Sequence, residues 1–282
     1  MDRYSDIKEK LKNIAENDEQ TEAVIFIGSA TRTDVKADEF SDLDVVIVTE
    51  YTEQWLYGDY PERLGKVHIS FVEPTLGGGK ERRLYYDEYR DVDMILLTPE
   101  QFCKAVDDGT MSCVMNRGYD VLYDSAEYSS ILDQRIVREV HLCEFTEEEF
   151  SNMVNDFFFH NIWAAKKMLR GELWSAKMCV DAYLKQHLLR MIEMYSLLKY
   201  NVDTWHDGRF LDRWADETIK KELEKCFANY SVEDMKIALY NTAKLFASLS
   251  KSVADMKGYD YPQQAEKYAF EYLEKANIIP VN

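Results

Sequence analysis

The 282-residue chain is poor in several features that would assign it to a class. Its five cysteines, Cys103, Cys113, Cys143, Cys179 and Cys226, are scattered and form no C-x-x-C pair. That argues against a zinc site or a disulfide framework and fits a reducing cytoplasm. No run of about 18 apolar residues occurs, so no membrane span is expected. The opening Met-Asp-Arg-Tyr-Ser-Asp-Ile-Lys has no apolar stretch of the kind a signal peptide carries. A cytoplasmic location, with no membrane partner, is therefore expected. Basic residues are also scarce: 34 Lys and Arg stand against 52 Asp and Glu, a net charge of −18. Such a balance argues against a broad basic surface for nucleic acid. It favours a cationic ligand, because carboxylate-lined clefts raise the local cation concentration. The hydrophobic share of 46% is ordinary for a globular chain, and the length suits one or two domains.

What the sequence does carry is concentrated between Ile25 and Val48. An apolar run from Ala23 to Ile27 stops at Gly28-Ser29. A polar stretch follows, and Asp42-Leu43-Asp44 then opens a second apolar run. Side chains alternate along a strand, so Asp42 and Asp44 point the same way. Two neighbouring carboxylates repel each other unless a cation sits between them. Mg²⁺ prefers oxygen ligands and is commonly held by one or two carboxylates plus substrate phosphates. Gly28 lets the backbone approach closely, and the Ser29 hydroxyl with nearby N–H groups can face phosphate oxygens. Metal-assisted attack on a nucleoside triphosphate is the chemistry these parts suit.

The order strand, Gly-Ser, Asp-x-Asp on a strand resembles the DNA-polymerase-β-type nucleotidyltransferase superfamily. That pattern calls for a third acid on a later strand. Asp93 fits, at the head of the apolar run Met94–Leu97, with Pro99 ending the strand and opening a helix. Asp91 shares its parity but lies in the charged lead-in.

Strands are expected near 23–27, 43–48, 67–72 and 92–98, with an edge strand at 119–123. Gly77-Gly78-Gly79, followed by Lys80, Arg82 and Arg83, reads as a mobile loop between strands. Ile7, Leu11 and Ile14 mark a first helix, and Pro99 to Val106 a short one. Beyond about residue 127 the period is helical throughout. Helices are expected from 150 to 169, 173 to 200, 207 to 227, 231 to 256 and 262 to 276, with capping signals at Thr146 and Ser231. No Pro/Gly-rich linker marks the boundary, which falls near 127–145. The fold class expected is α+β: a nucleotidyltransferase domain over 1–135, with a mixed sheet flanked by helices, then a helical bundle domain over 136–282. An active cleft is expected between them.

The chain further resembles the aminoglycoside 6-adenylyltransferases over nearly its whole length. The matching stretches are Gly28-Ser29 with Asp42-Leu43-Asp44, Glu53–Leu56, Leu64–Lys66, Tyr86–Tyr89 leading into Val92–Met94, Leu188–Met191, and Tyr259–Pro262. The resemblance implies transfer of AMP from ATP, with Mg²⁺, to an aminoglycoside hydroxyl, most plainly that of streptomycin. Asp42 and Asp44 would then hold Mg²⁺, and if a second metal binds Asp93 would share it. If only one binds, Asp93 would be the general base, its pKa raised by Asp42 and Asp44. Gly28 and Ser29 would contact the triphosphate. The family tends to carry a basic residue directly after Gly-Ser, whereas this chain has Ala30-Thr31 and then Arg32, so Arg32 is the candidate phosphate contact. For a cationic acceptor, Asp181 stands out mid-helix among Met178, Val180 and Leu184; its alternative is an ion pair with Lys177 or Lys185. His160, His187 and His206 lack metal-ligand spacing and receive no role. A monomer or homodimer is expected. The rival readings are another acceptor, either a lincosamide or a protein as in toxin–antitoxin systems, or a degenerate member that only binds.

Overall fold

The computed structural model describes residues 2–32, 35–136, 145–204 and 207–278. The chain divides into two compact units, Met1–His141 and Leu142–Asn282. The expected boundary region, 127–145, includes residues 137–144, which lie outside the described set, as does His206.

The first unit is built on a six-stranded mixed sheet. In chain order its elements are α1 (Ser5–Asn17), β1 (Thr21–Ile27), β2 (Leu43–Thr49), α2 (Thr52–Leu56), α3 (Tyr60–Leu64), β3 (Val67–Pro74), β4 (Lys80–Tyr86), β5 (Arg90–Leu97), α4 (Pro99–Asp107), α5 (Thr110–Met115), β6 (Asp120–Asp124) and α6 (Tyr128–Arg135). The strand order is β3-β4-β5-β2-β1-β6, with β2 and β5 parallel and the other neighbours antiparallel. Both faces are covered, which explains the unbroken apolar runs of β1, β2 and β5. Val24, Phe26, Val45, Ile47, Met94 and Leu96 pack with Ile7 and Leu11 of α1 and with Trp55 of α2. The alternate residues Ile25, Val46, Val48, Ile95 and Leu97 pack with Phe102 of α4, Met111 of α5 and Leu132 of α6. The start of α4 carries a full capping box, with Thr98 and Gln101 bonding each other's backbone N–H.

The stretch after Gly77-Gly78-Gly79, expected to be a loop, is instead the strand β4, between β3 and β5. Charge hides its alternation. Arg82, Leu84 and Tyr86 face the α1 side, and Arg82 is buried at 8% exposure. Its guanidinium donates to the Trp55 and Gly58 carbonyls, to the Ser70 hydroxyl and to Glu62. A cation so satisfied can occupy a core position. Gly79 is needed for close approach, since a Cβ there would press on the Leu96 carbonyl at 2.5 Å.

The second unit is helical: α7 (Glu147–Leu169), α8 (Leu173–Met178), a π-helical turn (Cys179–Tyr183), α9 (Leu184–Tyr200), α10 (Leu211–Trp214), α11 (Glu217–Leu223), α12 (Val232–Lys257) and α13 (Gln263–Lys275). Phe157 of α7 stacks on Phe246 of α12 with ring centroids 3.6 Å apart, at the centre of an apolar core. The helix expected over 173–200 is thus interrupted by π geometry. The one expected over 207–227 is divided, because Ala215 is extended and the Asp216 side chain caps a new helix by accepting from the Thr218 N–H. No helix among the described residues is long and apolar enough to cross a membrane.

Candidate active site

Strand register assembles the acidic site. Asp44 on β2 lies opposite Asp93 on β5 in the parallel pair. Asp93 in turn lies opposite Arg83 on β4. Asp42, two residues before Asp44, adds a third carboxylate. One oxygen from each of Asp42, Asp44 and Asp93 lies within 4.8 Å of the others. The acids share the parity of Val46, Val48, Ile95 and Leu97, so they continue the face that α4 covers further along.

The Gly-Ser turn lies against this cluster. Gly28 has φ +66°, and a Cβ there would collide with the Asp44 carboxylate. Only glycine satisfies both conditions without strain. Ser29 is buried at 6% exposure, and its hydroxyl donates to the Asp42 carbonyl at 3.1 Å. It thereby ties the turn to the first acid. The Thr31 hydroxyl donates to the Gly118 carbonyl at 2.9 Å, fixing the far side of the turn. Arg32 Nε donates to the Val35 carbonyl at 2.7 Å. Ala30 and Asp42 also line a hollow of about 380 Å³ with Tyr4, Lys8 and Ser41.

Asp93 is buried at 6% exposure. Burial is the largest cause of a carboxyl pKa raised to about 7; Arg83 opposes the rise, and Glu81, Asp91 and Asp42 add to it. The expectation that Asp42 and Asp44 drive this shift is corrected: desolvation leads, with Asp42 the weakest of the contributors named. Asp91 also sits above the ordinary carboxylate range through burial, with Asp42 adding and the Tyr85 hydroxyl opposing.

Sequence reasoning underrated the basic residue of this site. Arg83 Nε lies 3.6 Å from Asp93 Oδ2, 2.9 Å from Glu73 and 2.7 Å from Glu81. Glu81 is itself held by the Thr75 hydroxyl at 2.9 Å. The available signal was the two-residue spacing of Glu81, Arg83 and Tyr85, legible only once β4 is read as a strand. Asp181 belongs to the helical unit. Its Oδ2 accepts from Lys177 and from the Ala228 N–H, which is the ion-pair alternative; Lys185 donates instead to the Val180 carbonyl and the Thr242 hydroxyl.

A family profile described as streptomycin adenylyltransferase matches residues 1–276. The chain belongs to the streptomycin adenylyltransferase family. Relatives within it include the aminoglycoside 6-adenylyltransferase of Bacillus subtilis (strain 168), 23% identical over 270 residues, covering 90% of this chain and 91% of that protein. The Campylobacter jejuni protein of the same name is 22% identical over 271 residues, covering 90% and 89%. A crystal structure of an aminoglycoside 6-adenyltransferase from Bacillus subtilis aligns over 96% of this chain and 98% of that one, with 20% identity and a TM-score of 0.47. In this streptomycin adenylyltransferase family member, the acids and the Gly-Ser turn lie within the matched region.

Proposed function

We propose that this protein transfers AMP from ATP to a hydroxyl of an aminoglycoside, with streptomycin as the acceptor. The observation that carries the reading is the convergence of Asp42, Asp44 and Asp93 beside Gly28-Ser29. Membership of the adenylyltransferase family and the names of the relatives support the donor and the acceptor class. An all-carboxylate donor set of this spacing fits Mg²⁺, a hard cation that prefers oxygen. Asp42, Asp44 and Asp93 would hold it. When bound, Mg²⁺ offsets triphosphate charge and the charge developing on the leaving pyrophosphate.

The chain's own groups do the rest. The Gly28-Ser29 turn receives the triphosphate through its backbone N–H groups, with the Ser29 hydroxyl holding the turn to the Asp42 carbonyl, and Arg32 supplies a positive charge nearby. The acceptor oxygen bonds to the α-phosphorus in line with the departing β-phosphate oxygen. The bridging P–O bond breaks, and its electron pair leaves with pyrophosphate. Asp93, the buried acid of the cluster, accepts the proton of the attacking hydroxyl. Positioning and charge neutralisation supply most of the rate enhancement, as is general for phosphoryl and nucleotidyl transfer.

The deciding experiment is pyrophosphate release by the purified protein with ATP, Mg²⁺ and a panel of acceptors. Streptomycin should give ATP-dependent release and a drug product heavier by one AMP. Release with a lincosamide but not with streptomycin would reassign the acceptor. No release with any acceptor would remove the enzymatic reading.

A further inference from the structure

The helical unit contains a cleft of about 740 Å³ that the transfer chemistry above does not use. Glu149, Asn152, Asp156, Phe159, His187 and Tyr268 are among its lining residues. That volume lies within the roughly 300–1,000 Å³ of small-molecule sites.

Asp156 is the centre of a built arrangement. His160 Nδ1 bonds its Oδ1. The Tyr183 hydroxyl donates to both oxygens, at 3.0 and 2.9 Å. His187 Nε2 lies 3.5 Å from Oδ2. Among the described residues its ion-pair partners are these two histidines, with no lysine or arginine. The rings of His160, Tyr183 and His187 pack in series, with centroids 4.3 and 4.9 Å apart. Tyr183 ends the π-helical turn, a geometry that recurs at functional sites. The turn is buttressed by Lys185, whose ammonium takes the Val180 carbonyl at 2.8 Å. On the cleft wall, Phe159 and Tyr268 expose 65% and 64% of their surface. Arg190 also lines the cleft, but its guanidinium lies 4.8 Å from the Phe145 ring centroid.

We propose that this cleft binds a cationic group of the acceptor, with Asp156 as counter-charge and Phe159 and Tyr268 as ring faces. Ammonium and guanidinium groups bind aromatic faces and carboxylates together, and the strength rises as water is excluded. The Tyr183 hydroxyl and the two imidazoles hold the carboxylate in place, and among the described residues no lysine or arginine pairs with it. Asn152 and Asn155 offer amide groups for sugar hydroxyls. The assignment rests on the acceptor class proposed above.

The test is calorimetric titration of the full chain with streptomycin, without ATP, beside steady-state pyrophosphate release. Asp156→Asn should weaken binding at least tenfold and raise KM by a similar factor, leaving kcat within about threefold. The exposed double variant Phe159→Ala/Tyr268→Ala should weaken binding about fivefold; it decides the matter if Asp156→Asn fails to fold by circular dichroism. Wild-type binding and turnover, with both variants unchanged in Kd and KM, would overturn the cleft and leave the proposed function standing. Asp156-dependent binding without pyrophosphate release would uphold the cleft and overturn the function. No binding of streptomycin or of other aminoglycosides would overturn both.

Discussion

The sheet unit and the helical unit gather their polar groups by different means. In the sheet unit, backbone register does the gathering: Asp44, Asp93 and Arg83 are neighbours because their strands pair at those positions. In the helical unit, Asp156, Tyr183 and His187 meet only because α7 packs beside an irregular turn and α9. A strand site is fixed by hydrogen bonds that every residue type makes. A helix-bundle site depends on side-chain packing, and here on one departure from α geometry. The sheet site should therefore be brittle towards single polar changes, and the helical cleft graded.

The sharpest way to break that comparison is at Asp42 and Asp44. Replacing either by Asn should lower turnover by at least about a hundredfold, on the order of 3 kcal/mol of transition-state stabilisation. The metal-free protein should unfold no earlier than wild type, because like-charge repulsion is relieved. Near-normal pyrophosphate release by both variants would end the claim that register builds the active centre.

The adjacent arginines of β4 offer the next contrast. Arg82→Gln removes a buried cation bonded to Glu62, Ser70 and two carbonyls, and should cost about 2–4 kcal/mol in urea denaturation. Arg83→Gln, on the acidic face, should cost well under half of that and should instead change turnover. Equal stability losses would mean that the two faces of β4 are not separated as described.

Asp93 should couple the sheet site to pH. Its folded pKa of about 7 lies above the ordinary 3.8, so the folded state favours the protonated carboxyl. That contribution is complete below about pH 4 and is lost as pH rises through 7, with a slope no steeper than about 1.4 kcal/mol per pH unit. Melting curves of metal-free protein from pH 5 to 8 should show wild type losing stability relative to Asp93→Asn. Parallel curves would show that burial does not raise this group.

The smallest effect is expected in the helical unit. Thr146 caps α7 through a reciprocal capping box with Glu149. Thr146→Ala should cost about 1 kcal/mol by denaturation while leaving pyrophosphate release at saturating substrate unchanged. A loss several times larger would show that the helical unit is as brittle as the sheet.

Much of this molecule was readable from residue order alone, wherever a local rule operates. The apolar runs of β1, β2 and β5, Pro99 after the third acid, and the caps at Thr146 and Ser231 each follow from strand or helix chemistry within a few residues. Gly28-Ser29 and the Asp-x-Asp pair were legible for the same reason, since side-chain parity is a property of one strand. Tertiary structure decided what depends on distant partners. Lys80–Tyr86 became an interior strand because Glu62, Ser70 and two carbonyls satisfy Arg82, which no local pattern announces. Asp93 owes its raised pKa chiefly to burial, a quantity that exists only after the sheet is covered. Asp181 turned to Lys177 and the Ala228 N–H, whereas Asp156, unremarked in the sequence, became the centre of a cleft once a π turn carried Tyr183 to it. Local spacing fixes which side chains share a face; only packing fixes which faces meet, and which charges find partners when they do.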